Sequence, residues 1–334
     1  MQIGILGCGD FLRWQASSIG RSSRVAVRSL FDPDHARAER FASQLGGRAV
    51  GNEDEIFQDP EIDTVCLFVP PWVRRGVVEK AARAGKHILT TKPLAPTVAD
   101  CEAIARTIGD TVRCGVIYRR TECAMVETAK SIFEGGELGR LALYRQDWLH
   151  HYPQWNRWAL DPAKNGGPFM DAMIHNLNIA RYLMGRPVET ATFTSDRLSH
   201  PNLTCADTES MRLKFAQGGV ADLFITWAAD LAVHSTDGNN REHIDIMYMI
   251  TDHGWRLTEG KDDEGRGALI ASRAGETRVF PYVGIEVSVY DRFAASVADG
   301  APLPRDLPGV AEAAEDIALV RAGAAEPHSA LAGA

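Results

Sequence analysis

Apolar residues in the first 118 or so positions fall in short runs separated by amphipathic stretches. Gln2–Leu6, Val25–Phe31, Thr64–Val69, His87–Thr91 and Val112–Ile117 read as strands, and Thr64–Val69 is continuous enough to be covered on both faces. Between them, Pro33–Leu45, Arg74–Ala84 and Val98–Ile108 carry helical periodicity. Pro33 suits a first helical position, and Gly85 and Gly109 suit the left-handed residue that closes a helix. Alternation of buried strands with helices predicts a parallel, doubly wound sheet.

The pattern then changes. A helix over Cys123–Phe133 closes at Gly135-Gly136, Leu141–Leu149 is strand-like, and Phe169–Met184 reads as one long helix ending at Gly185. Six strand-like runs follow: Val188–Arg197, Glu209–Phe215, Val220–Trp227, Ile244–Ile250, Ala268–Ser272 and Thr277–Phe280. Turn signals at Gly218-Gly219, Asp252-His253-Gly254 and Ala274-Gly275 separate several of them, which predicts antiparallel pairing. Helices over Val287–Ala298 and Gly309–Arg321 end the pattern. The fold expected is an α/β Rossmann domain over residues 1–120, then an α+β domain over 121–334 built on a large open antiparallel sheet. Alternating apolar positions such as Leu223, Ile225 and Trp227 call for cover on both faces of that sheet, so a homodimer or homotetramer is expected.

Composition acts mainly by exclusion. A chain of 334 residues allows about two domains. Apolar residues make up 45% and charged residues 24%, which excludes disordered and fibrous classes. A net charge of −8 argues against nucleic acid as a partner. No apolar run reaches the roughly 18–20 residues of a membrane span, and no basic leader opens the chain, so no membrane partner and a cytoplasmic location are expected. The six cysteines form no C-x-x-C pair and read as reduced thiols.

Four motifs carry candidate chemistry. Gly7-Cys8-Gly9-Asp10-Phe11-Leu12 follows the first strand and opens a helix, the setting of a dinucleotide-binding loop, although Leu12 stands where a third glycine is usual. Asp32 ends the second strand 23 residues past Gly9. It suits the acid that binds an adenosine ribose and disfavours a 2′-phosphate; the competing reading is a helix N-cap, because Pro33 follows. Thr90-Thr91-Lys92-Pro93 follows the His87–Thr91 strand at the edge where such sheets bind ligands. The chain has only 7 lysines against 29 arginines. In Gly166-Gly167-Pro168-Phe169-Met170-Asp171-Ala172-Met173-Ile174-His175-Asn176-Leu177-Asn178, the residues Asp171, His175 and Asn178 fall on one helix face among apolar neighbours. A polar stripe there is costly unless it is used or satisfied. With no second carboxylate or H-x-x-x-H pair, no metal site is expected, nor at His150-His151.

Together these motifs resemble the Gfo/Idh/MocA oxidoreductases, over nearly the whole chain and including Gly135-Gly136-Glu137-Leu138-Gly139. The resemblance implies Lys92, Asp171 and His175 as the catalytic set. It implies Gly7, Cys8, Gly9, Asp10, Phe11, Asp32, Pro70 and Lys92 at the cofactor, which is NAD, with NADP possible. Tyr118, Tyr152, Trp158 and Asn178 are substrate candidates, Trp158 because tryptophans stack on sugar faces. Thr91 departs from the family's usual glutamate, Met173 from glycine, Asn178 from aspartate and Arg74 from histidine. The implied reaction is hydride transfer between NAD(P) and a secondary alcohol or carbonyl of a sugar, inositol or related polyol. A non-catalytic NAD-binding sugar sensor, an NAD-dependent glycosidase and an NADPH-dependent keto-sugar reductase are the alternatives.

Overall fold

The computed structural model describes residues 1–109, 112–149, 157–229 and 244–324. The chain forms two compact units: Met1–Glu122 with Ile285–Ile317, and Cys123–Gly284 with the chain from Ala318 on.

In the first unit the strands are β1 (Gln2–Leu6), β2 (Ala26–Phe31), β3 (Arg48–Ala49), β4 (Thr64–Leu67), β5 (His87–Thr91) and β6 (Cys114–Ile117). They form one sheet in the order β3-β2-β1-β4-β5-β6, parallel at every pairing. The connecting helices are α1 (Asp10–Gly20), α2 (His35–Leu45), α3 (Asp54–Phe57), α4 (Pro71–Arg83) and α5 (Val98–Ile108). This is the doubly wound dinucleotide-binding order, whose ligands bind outside the carboxyl ends of the strands. β4, β5 and β6 are almost wholly buried, as the continuous apolar runs require. Gly85 does close α4 at φ +70°. Pro33 is not the first helical residue, because the Asp32 carboxylate takes the Asp34 N–H at 2.9 Å and delays the helix to His35.

The second unit holds α6 (Ala124–Gly135), β7 (Leu141–Leu149), a 3₁₀ turn Arg157–Leu160, a π turn Phe169–Met173 and α7 (Ile174–Met184). Then come β8 (Val188–Asp196), β9 (Thr208–Phe215), β10 (Val220–Thr226), β11 (Ile244–Thr251), β12 (Arg256–Lys261), β13 (Gly267–Arg273) and β14 (Glu276–Pro281). Eight strands form one sheet in the order β14-β13-β12-β11-β7-β10-β9-β8. All neighbours run antiparallel except β7 and β10, which are parallel at its centre. The sheet is therefore mixed rather than purely antiparallel. Its inward positions, including Tyr144, Met211, Leu213, Leu223, Ile225 and Met249, are buried.

The first unit runs to Glu122 and takes in a later stretch of the chain as well. Helix α8 (Val289–Asp299) and the start of α9 (Val310–Ala324) return to the first. Val289, Tyr290 and Phe293 join the core of Ile3, Ile5, Leu12 and Leu89. The Asp291 carboxylate accepts from the backbone N–H of Ser23 at 3.1 Å and of Arg24 at 2.8 Å. Arg120 grips Glu312 with two hydrogen bonds at 2.6 and 3.0 Å.

Candidate active site

Within the first unit, the candidate cofactor residues gather at the carboxyl ends of β1, β2, β4 and β5. Gly7 sits at φ +93°, and a Cβ there would lie 2.5 Å from the Phe68 carbonyl oxygen, so the tight turn itself requires glycine. Gly9 differs. Its φ of −91° suits any residue, and a Cβ would meet nothing within 4 Å. The fold leaves room beside the N-terminus of α1, whose free N–H groups suit a pyrophosphate. Asp32 is 9% exposed and its Oδ2 accepts the Cys8 N–H at 2.8 Å, so the acid is tied to the glycine loop. Burial, and then the Asp32 charge, push the Cys8 thiol up to about 12, leaving it neutral. Asp10 is exposed, and Phe11 stacks edge-on against Phe68 with ring centroids 5.0 Å apart. Pro70 is exposed ahead of α4. These features fit a dinucleotide: a cradle that a Cβ would fill, facing helix N–H groups, with a carboxylate at the next strand end.

Lys92 follows β5 and is half-buried, and its N–H donates to the Ile117 carbonyl at 3.2 Å. Tyr118, at the end of β6, is 2% exposed.

Within the second unit, the expected continuous helix over Phe169–Met184 begins with a π turn, a local widening common at functional sites. Asp171 and His175 are half-buried, whereas Met173, Ile174, Asn176, Leu177 and Asn178 are buried. Asp171 lies in the π turn, His175 and Asn178 lie in α7, and Asn178 is wholly covered. Buried Asn165 donates from Nδ2 to Asp171 Oδ1 at 3.1 Å. Buried Glu209 accepts the Phe169 N–H at 2.7 Å, placing a carboxyl group at the start of this helix. Burial pushes the Glu209 carboxyl up to about 7, against the hydrogen bonds from Phe169 and Ser195 and the charge of Arg321. Gly167, at φ +111°, lies against it; a Cβ there would stand 3.2 Å from Oε2. Trp158 packs beside the buried trio Ala159, Cys205 and Trp227. Tyr152, His150 and His151 lie outside the described residues, among which no cluster of metal-ligating side chains occurs.

Two supporting residues went unread in the sequence. Glu209 shares the inward face of β9 with Met211, Leu213 and Phe215, and that alternation was the signal for a buried carboxylate. Asn165 directly precedes Gly166-Gly167, which gives only a turn signal.

Residues 1–117 match the oxidoreductase family model with an NAD-binding Rossmann fold, and 126–246 match the GFO/IDH/MocA C-terminal domain. A scyllo-inositol 2-dehydrogenase (NAD(+)) from Bacillus subtilis is 30% identical over 208 residues, covering 60% of this chain and 59% of the relative. An uncharacterized oxidoreductase from Streptococcus pneumoniae is 28% identical over 218 residues, covering 63% of this chain and 58% of the relative. The chain thus spans about three fifths of the length of these curated relatives. A crystal structure of aldose-aldose oxidoreductase from Caulobacter crescentus with glycerol superposes at a TM-score of 0.81. It covers 97% of this chain and 98% of that one, at 22% identity, a likeness of fold.

Proposed function

The chain belongs to the GFO/IDH/MocA oxidoreductase family, and we propose that it is an NAD-dependent dehydrogenase acting on a secondary alcohol of a sugar, inositol or related polyol. The observation that supports this most is the Asp171–His175 pair. Both are half-buried, with Met170, Met173, Ile174, Asn176 and Leu177 buried around them, and Asp171 is held by Asn165. His175 takes the substrate hydroxyl proton as general base, and Asp171 orients it and favours its protonated form. Lys92 donates to the reacting oxygen and stabilises the negative charge that develops there. Asp32 and the Gly7–Gly9 loop hold the dinucleotide, and the nicotinamide, when bound, supplies the acceptor for the hydride. Tyr118, Trp158, Tyr152 and Asn178 are the proposed substrate side.

The proposal extends to assembly. Ile246 and Val279 are 48% and 43% exposed on the second sheet, and we assign its outward face to another copy of this chain. A cytoplasmic setting goes with six cysteines outside any disulfide, five of them buried. The test is NADH formation from NAD+ against aldoses, inositols and other cyclic polyols, with keto-sugars assayed in reverse. Net NADH production with a member of the panel is expected. Turnover without net redox change would point to a glycosidase, and binding without turnover to a sensor.

A further inference from the structure

Arg74 lies on the first turns of α4, on the face that also buries Val78 and Ala81, and is itself 1% exposed. A guanidinium removed from water normally takes a carboxylate partner. This one has no ion pair among the described residues and binds carbonyl groups instead. Its Nη1 donates to Thr91 O at 2.6 Å and also to Pro93 O, and its Nη2 donates to Val69 O at 2.6 Å. The titratable side chains facing it are Cys101 of α5, Cys114 of β6 and Tyr118 beyond β6, none of them a carboxylate. Burial lowers its pKa to about 10, so it remains charged at neutral pH.

Thr91 and Pro93 are the two neighbours of Lys92. A single NH2 group therefore holds the main chain on both sides of that lysine. The other arm ties this turn to Val69, immediately before Pro70. The three acceptors belong to the turns leaving β4 and β5, at the sheet edge where ligands bind. Only a planar, forked donor set reaches three such oxygens; a lysine ammonium is a point charge on a flexible stem.

We infer that Arg74 is a positioning residue for the reaction, fixing Lys92 through the carbonyls on either side of it. The inference rests on the reading of Lys92 as a catalytic group. Reacting groups displaced by about 1 Å lose on the order of 100-fold in rate, so a loosened lysine turn should be costly without touching substrate.

Two measurements test this. The first is hydrogen exchange of the Thr91–Ala95 backbone in the NAD+-bound protein, comparing wild type with Arg74→Met. At least about 10-fold faster exchange there, with the β1 core unchanged, is expected; unchanged exchange would overturn the clamp. The second is a double-mutant cycle of Arg74→Met with Lys92→Ala, read as single-turnover NADH formation with the best polyol of the panel. Arg74→Met should cost roughly 30–100-fold in the wild-type background and under about 3-fold when Lys92 is absent. Equal losses in both backgrounds would make Arg74 a general structural residue and overturn the proposal. If Arg74→Met does not fold, Arg74→Lys takes its place, with about a 10-fold loss expected that again vanishes without Lys92. Near-normal turnover by Lys92→Ala would instead show that Lys92 is not a catalytic group, and the positioning claim would fall with it.

Discussion

Replacing Gly9 with alanine separates what the fold needs from what the cofactor needs. The backbone at Gly9 is extended, with φ −91° and ψ −157°, and a Cβ would meet nothing within 4 Å. Folding should therefore tolerate the methyl group, and stiffening the unfolded chain would add about 0.4–1 kcal/mol at most. The open space, however, lies where amides of the loop and of α1 would face a pyrophosphate. Losing one charge-assisted hydrogen bond there costs about 1.5–3 kcal/mol, or roughly 10–100-fold in dissociation constant. Gly7→Ala is the contrasting control. Its Cβ would stand 2.5 Å from the Phe68 carbonyl oxygen at a φ of +93°, so it should lose stability as well as binding. Urea denaturation and NADH fluorescence titration on the same samples measure both quantities. Gly9→Ala should unfold within about 1 kcal/mol of wild type while binding NADH at least about 10-fold more weakly. Wild-type NADH affinity in a stably folded Gly9→Ala protein would refute the placement of the dinucleotide.

Three further outcomes are expected. Asp32 should make NAD bind at least about 10-fold more tightly than NADP, since a 2′-phosphate would face its carboxylate; Arg37 and Arg40 are the possible counter-charges, and Arg37 is held by Asp34 at 3.1 Å. Paired dissociation constants for wild type and Asp32→Ala check this, and tighter NADP binding by wild type would contradict it. Glu209, raised by burial to about 7 from an ordinary 4.5, keeps its proton in the folded state where the unfolded chain has lost it. Stability should thus fall as pH rises from about 4.5 to 7, by a few kcal/mol at most; melting curves should show this slope in wild type and a flatter one in Glu209→Gln. Light scattering at micromolar concentration should give a dimer or tetramer mass, and a monomer would contradict the interface assigned to the second sheet.

The strand–helix alternation made the first unit legible because its strands are buried on both faces and carry no competing pattern. The positions of Lys92 and Asp32 directly after β5 and β2 were legible from the ends of those two apolar runs. Two kinds of feature were not. The return of α8 depends on Asp291 meeting the backbone near residue 23, a contact more than 260 residues away in sequence. Strand β12 alternates weakly, with only Leu257 buried, so its Arg256–Lys261 run reads as a loop. The π turn could not be read from periodicity, since it inserts its shift inside a helical pattern. The role of Arg74 stayed hidden because its partners are carbonyl oxygens, which every residue carries. In each case the deciding interaction is long-range or made by the backbone.

Lys92 and His175, 83 residues apart in sequence, are proposed to serve one hydride transfer. Single-turnover NADH formation at saturating NAD+ and polyol tests it most directly, with NADH affinity measured alongside. His175→Ala should lower the rate by about 10²–10⁴-fold and Lys92→Ala by at least a comparable factor. Asp171→Asn should be milder and should shift the pH–rate profile, while NADH affinity of His175→Ala stays near wild type. Near-normal rates in both Lys92→Ala and His175→Ala would contradict the account.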